Sequence, residues 1–341
     1  MSRTAKPAHD SDADMAPELI LSQVPPIALS TSTRARVHAA TATGTIRRLR
    51  GEIEALRELE DVQRARIQEL EAELRLAASL QRNLRSAMPP IQGATIHSLL
   101  RPAAVVSGDM VDVVRLSETE VAVTLLDATG HGLAAGLLAT YVKRSLDGKG
   151  LTQNDGAPPP PDEVLAGLNQ HLLDIQLEAC QFVTAVYMVY DEHTRLIRWA
   201  RAGAPYPVLM QPGERPRELV SGGPLLGVLP DAEFEMAEWQ LAPGETLLVH
   251  TDGLDTLLAR AQRPGNRSHL SPADLFCQHH AGGFAEFWGE FSEFVTSSAQ
   301  SPELRDDLTV VALHVEQPDA HRTETPAEKR AKSPARVATW A

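Results

Sequence analysis

Four short stretches, far apart in the chain, each set an acidic residue at the end of an apolar run. They are Ser107-Gly108-Asp109-Met110-Val111-Asp112, Leu125-Leu126-Asp127-Ala128-Thr129-Gly130-His131-Gly132, His250-Thr251-Asp252-Gly253, and Asp306-Asp307 before Leu308-Thr309-Val310-Val311. A carboxylate at the end of a buried strand is costly unless something positive compensates it. Any one of these aspartates reads as a turn or helix-cap residue. Converging, the set would form an oxygen-rich cage suited to hard divalent cations. Asp127 closes the run Val121–Leu126, and Thr129-Gly130-His131-Gly132 then permits a sharp turn into a helix. Asp252 repeats that logic after Thr246–Thr251, whereas Asp306-Asp307 stands before a strand. Adjacent carboxylates repel, and a cation beside them relieves the repulsion.

The 341 residues suffice for one large domain with appendages, or for two domains. Aromatics make up only 4%, so aliphatic side chains must build the core. A net charge of −13 argues against a general nucleic-acid binder, which needs a basic surface for phosphate contacts. Two cysteines, Cys180 and Cys277, make no disulfide framework and read as reduced thiols. No stretch approaches the ~20 apolar residues that span a bilayer. Asp10, Asp12 and Asp14 stand where a signal peptide needs an apolar core. The expectation is a cytoplasmic protein without a membrane span.

Composition divides the chain. Residues 1–44 are rich in Ala, Thr, Ser and Pro without sustained period, and are expected to be disordered. Within them, Leu19–Leu29 is a short apolar patch split by Pro25-Pro26, either linker or docking peptide. Residues 45–88 carry Ile46, Leu49, Ile53, Leu56, Ile67, Leu70, Leu74, Ala77, Leu84 and Met88 at 3-4 spacing, the seam of a coiled coil. Glu60 and Gln63 interrupt the seam, which suggests a polar layer. A parallel two-stranded rod, hence a homodimer, is the preferred reading; a single amphipathic helix folded back on the main domain is the alternative. Pro89-Pro90 ends the helix.

Residues 89–316 form the expected main domain, and 317–341 a disordered tail. Strands are predicted at Thr95–Leu100, Asp109–Leu116, Glu120–Asp127, Phe182–Asp191, Arg195–Ala202, Pro207–Gln211, Glu245–His250 and Leu308–Val315. Helices are predicted at Gly132–Leu146, Asp162–Glu178, Gly253–Arg260, Ser271–Gln278 and Phe284–Ser298. The order lacks βαβ alternation and fits an α+β fold of packed antiparallel sheets with helices outside.

Seven segments in order resemble a known family: Ser107-Gly108-Asp109 to Asp112, Asp127 to Gly132, Phe182–Tyr187, Arg201-Ala202-Gly203, Pro224–Val228, Pro243-Gly244-Glu245 to Leu254, and Asp306-Asp307-Leu308-Thr309. They look like the successive motifs of the SpoIIE/RsbU-type branch of the metal-dependent (PPM) serine/threonine protein phosphatases. The resemblance implies an α/β/β/α sandwich with two Mn²⁺ or Mg²⁺ ions at one edge. By position, Asp127 would bridge both ions, the Ala128 carbonyl would complete a coordination sphere, Asp252 and Asp306 would hold the first ion, and Asp109 the second. Asp127 and Asp252 would serve catalysis through metal-bound water, while Asp112 and Asp307 lie nearby without an assigned role.

The same resemblance implies hydrolysis of phosphoserine or phosphothreonine, with an anti-sigma-factor antagonist as substrate in a bacterial partner-switching pathway, and an upstream regulatory protein acting on the N-terminal helix. Two departures stand out. Arg201 and Ala204 replace the Asn and His of the family's Asn-Ala-Gly-His, which motivates an alternative: a catalytically weak scaffold that binds a signalling partner. A different metallohydrolase, such as a phosphodiesterase, is disfavoured because the chain lacks His-rich ligand sets. His131 is read as a helix-start packing residue, and Arg101 as a surface arginine.

Overall fold

Strand alternation sorts the aliphatic residues into three cores. Along β3 (Glu120–Ala128), Val121, Val123 and Leu125 belong to one buried cluster, while Ala122, Leu126 and Ala128 belong to another. That two-residue period is what a strand buried on both faces requires. The same alternation splits β10 (Leu308–Val315): Val311, Leu313 and Val315 join the first cluster, and Leu308, Val310 and Ala312 a third.

The computed structural model describes residues 30–148, 158–175, 181–261, 283–299 and 306–317. One antiparallel sheet has the order β2 (Asp109–Arg115), β3, β4 (Val183–Asp191), β5 (Leu196–Ala202), β8 (Ala237–Gln240). The other runs β1 (Ala94–Arg101), β10, β9 (Thr246–His250), β6 (Val208–Met210), β7 (Arg217–Glu218). The first cluster is shared by both sheets. The second packs α2 (Leu133–Gly148) and α3 (Pro161–Asp174) on the outer face of the β3 sheet. The third packs α4 (Gly253–Ala261) and α5 (Phe284–Ala299) on the outer face of the β10 sheet. The result is the α/β/β/α sandwich that the resemblance implies.

Every strand predicted from the sequence is present within a residue or two of its expected ends. The two strands that were not foreseen, β7 and β8, are short and carry no apolar run; β8 alternates between partly buried and exposed positions. The predicted helix at Ser271–Gln278 and both cysteines lie outside the described residues.

By internal contacts the chain divides into two units, Met1–Gln68 and Glu69–Ala341. Helix α1 (Thr31–Asn83) starts earlier than the heptad pattern at 45 and stops short of 88. Ser30 caps it, its Oγ accepting from the Thr33 amide at 3.3 Å. The Thr43 and Thr45 hydroxyls donate to the carbonyls of Ala39 and Thr41, so polar side chains in this stretch are satisfied within the helix. In the first unit the seam residues Ile46, Leu49, Ile53, Leu56 and Ile67 are exposed, as are Leu59 and Val62 off the seam.

In the second unit the end of α1 is anchored. Gln81 is buried; its Nε2 donates to the Ser107 carbonyl at 2.8 Å and the Gly136 carbonyl at 3.3 Å. Beyond the helix, the Ser86 amide donates to Asp112 Oδ1 at 2.8 Å. Among the described residues, no helix is long and apolar enough to cross a membrane.

Candidate metal centre at the sandwich edge

The rows of side chains that face between the sheets end on polar residues at one edge. In β2 the row Val113, Val111 continues to Asp109; in β3 the row Val123, Leu125 continues to Asp127. Asp109 and Asp127 are direct partners across the antiparallel pair. In the opposite sheet the corresponding rows run Leu247, Val249 to Thr251, and Leu313, Val311 to Thr309 and Asp307.

These rows meet. Thr251 Oγ1 and Thr309 Oγ1 donate to Asp109 Oδ2 at 2.9 and 2.6 Å. Asp109 Oδ1 is buried and has no hydrogen-bond partner. Asp307 is buried and faces the other way: Oδ1 accepts from the Ala103 amide at 2.6 Å and Oδ2 from the Gly108 amide at 2.5 Å. It therefore ties the loop that leads into Asp109 to the start of β10.

Asp252 follows β9 and is exposed, while Asp306 precedes β10 and is half-buried. Gly253 lets these two strand ends come together, since a Cβ there would lie 2.0 Å from the Asp307 carbonyl oxygen. The Ala128 carbonyl lies against Gly108, where a Cβ would come within 2.8 Å.

Electrostatics tie the carboxylates together. Burial, followed by the charge of Asp127, pushes Asp109 well above the usual carboxylate range. Burial, followed by the charges of Asp252, Asp306 and Asp307, pushes Asp127 up to about 7. Asp306 is raised by burial and then by Asp252. The carboxylates approach without closing: among the described residues, no group of three or more His, Cys, Asp or Glu side chains is near enough together to hold a metal ion in the arrangement seen.

The donor chemistry nevertheless fits a hard cation. It offers carboxylates and a backbone carbonyl, an orphaned buried oxygen on Asp109, and pKa values raised by burial and by neighbouring carboxylates.

The remaining residues singled out from sequence lie as follows. Asp112, on the opposite face of β2, pairs with Lys143 of α2 at 3.3 Å and accepts from Ser86, so it belongs to the helix side. His131 is exposed rather than packed, near enough to Asp306 to draw its pKa down slightly against the larger upward effects. Arg101 is partly buried and donates to Thr296 Oγ1 at 2.8 Å. Arg201 donates to the carbonyls of Ser221 and Ala204 at 2.7 and 2.6 Å and lies 4.3 Å from the Tyr206 ring centroid. Thr251, Thr309 and the clamp made by Asp307 were not foreseen. Extending the strand parity past the apolar run would have placed Thr251 and Thr309 on the face between the sheets, but not the clamp.

A sandwich of this architecture with acidic strand ends at one edge defines the PPM phosphatase class. Residues 117–316 match the family model for stage II sporulation protein E, SpoIIE. The chain belongs to the SpoIIE family, within the SpoIIE/RsbU branch of the PPM phosphatases. It is 29% identical over 188 residues to the phosphoserine phosphatase RsbP of Bacillus subtilis, covering 53% of this chain and 45% of that protein. It is 26% identical over 210 residues to protein IcfG of Synechocystis, covering 53% of this chain and 32% of that one. The chain thus spans less than half the length of these curated relatives.

Among solved structures, the PP2C domain of SiaA from Pseudomonas aeruginosa superposes with a TM-score of 0.59 at 22% identity, covering 72% of this chain and 97% of that domain. The RsbU and RsbW domains of Rv1364c from Mycobacterium tuberculosis give 0.54 at 21%, covering 69% and 64%. At these identities the structural likeness concerns the fold.

Proposed function

We propose that this chain is a metal-dependent protein phosphatase that hydrolyses phosphoserine or phosphothreonine. The observation that carries the reading is the edge where four strand ends from two sheets bring Asp109, Asp127, Asp252 and Asp306 into electrostatic contact, with Asp109 Oδ1 buried and unpaired. Asp109, Asp127, Asp252, Asp306 and the Ala128 carbonyl would hold two Mn²⁺ or Mg²⁺ ions. When bound, the ions would supply acidity to a water molecule and positive charge to the phosphoryl oxygens. Thr251 and Thr309 fix the orientation of Asp109 by occupying one of its oxygens and leaving the other open. Asp307 positions the Asp109 loop through two amides.

The name of the RsbP relative supports phosphoserine as the target, and the family resemblance supports an anti-sigma-factor antagonist within partner switching in the cytoplasm. The exposed heptad residues of α1 support a homodimeric rod on which an upstream regulator acts. The scaffold alternative rests on Arg201 and Ala204. Arg201 spends its guanidinium on two backbone carbonyls and an aromatic ring, so that departure is absorbed by local packing.

Manganese-dependent release of phosphate from a phosphoserine peptide tests the reading, with Asp252→Asn as the control. The wild type should turn over and the variant should not; equal inertness of the two favours the scaffold.

A further inference from the structure

Beside Asp252 lies an open cleft of about 290 Å³, lined by Gly203, Ala204, Pro205, Tyr206, Glu218, His250, Asp252 and Asp255. Asp127 and Asp306 are not in its wall, so it extends away from the shared edge. We propose that this cleft is a specificity subsite for a lysine or arginine side chain close in sequence to the phosphorylated residue of the substrate. The inference rests on the phosphatase reading above and adds to it the chemistry of the flanking residue.

Three observations carry it. First, Glu218 and Asp255 are exposed, and neither carboxylate takes part in a hydrogen bond or an ion pair among the described residues. With Asp252 they put three carboxylates around one cleft; among the described residues neither Glu218 nor Asp255 forms an ion pair, and His250 is the basic group whose electrostatics they share.

Second, His250 is 2% exposed yet lines the cleft. Its Nδ1 lies 3.1 Å from the Thr251 carbonyl. A carbonyl can only accept, so Nδ1 donates and Nε2 of the neutral ring is left as an acceptor. Nε2 has no partner among the described residues. That acceptor is free to take a donor entering the cleft, and an ammonium or guanidinium group carries donors only.

Third, the remaining wall of Gly203, Ala204, Pro205 and the Tyr206 ring suits the aliphatic stem of a long basic side chain, whose charged end would reach the carboxylates. Arg201 lies against Tyr206 and is held there by two carbonyls, so its charge is already placed. The carboxylates of the cleft would draw a basic segment toward it.

The test uses the full chain with manganese and a set of phosphoserine peptides. Lysine, alanine or glutamate is placed in turn at each of the two positions on either side of the phosphoserine. Para-nitrophenyl phosphate, which has no flanking residue, is assayed in parallel with the wild type. The readout is the ratio of kcat/KM for the lysine peptide to that for the alanine peptide within each protein, which is insensitive to loss of active material.

At one flanking position the wild type should favour lysine by about tenfold, and less at high salt. Glu218→Gln and Asp255→Asn should each lower the ratio, their combination should bring it near one, and Glu218→Lys should invert the preference toward glutamate. A wild type that hydrolyses para-nitrophenyl phosphate and shows no preference at any position overturns the subsite alone. So does a lysine preference that survives the double substitution. A wild type inert toward every phosphomonoester overturns the phosphatase reading, and the subsite with it.

Discussion

Strand β2 buries two carboxylates on opposite faces, and the molecule treats them in opposite ways. Asp112, on the helix side, has its charge answered: Lys143 lies 3.3 Å away, and the amide and hydroxyl of Ser86 donate to its two oxygens. Asp109, on the side between the sheets, receives only two hydroxyl hydrogen bonds on one oxygen and keeps the other unpaired, with Asp127 opposite. A buried charge that is paired and hydrogen-bonded is structural; one surrounded by further carboxylates is what a cationic ligand would stabilise. Burial by itself therefore does not mark a functional aspartate. The partners do.

Substitutions should separate the two regions. The largest effect is expected at Asp109. Asp109→Asn should lower phosphopeptide turnover by about 10³-fold, because it removes a candidate ligand of the reacting centre. Its unfolding midpoint in denaturant should be unchanged or raised, since a buried like charge disappears. A stability loss comparable to the activity loss would make Asp109 a structural residue like its neighbour.

Next, Lys143→Met should remove the ion pair to buried Asp112, leaving it the weaker electrostatic support of Arg85, and cost about 3 kcal/mol in urea unfolding. A loss below about 1 kcal/mol would show that the Ser86 contacts suffice. The smallest effect is expected for Ser86→Ala, which removes one hydroxyl donor at 3.2 Å and keeps the amide bond. About 1 kcal/mol of stability should go, with turnover little changed.

Much of the fold was legible because the apolar runs are long and their ends are sharp. The run Val121–Leu126 and its Asp127 predicted β3 almost to the residue, and Leu308–Val315 coincides with β10. The short edge strands β7 and β8 were not legible, since cross-strand pairing rather than side-chain pattern defines them. Sequence placed Asp307 among the acidic residues of the site without a role; only the structure shows both its oxygens committed to amides of a loop far away in the chain. The same limit applies to Asp112, whose partner Lys143 lies on a helix. Spacing along one chain reveals which side chains share a face, but a contact between elements distant in sequence leaves no periodic trace.

The glycine at 253 has a consequence for anyone who wishes to retune this protein. Even a methyl group there would collide with the backbone at Asp307, and the chain on either side carries Asp252 and Asp306. The gap between these two acids is thus set by an atom that is missing, not by one that is present. Libraries that seek altered ion preference should hold that position constant and vary the walls around it, because diversity there would pry the two strands apart before it could change what they grip.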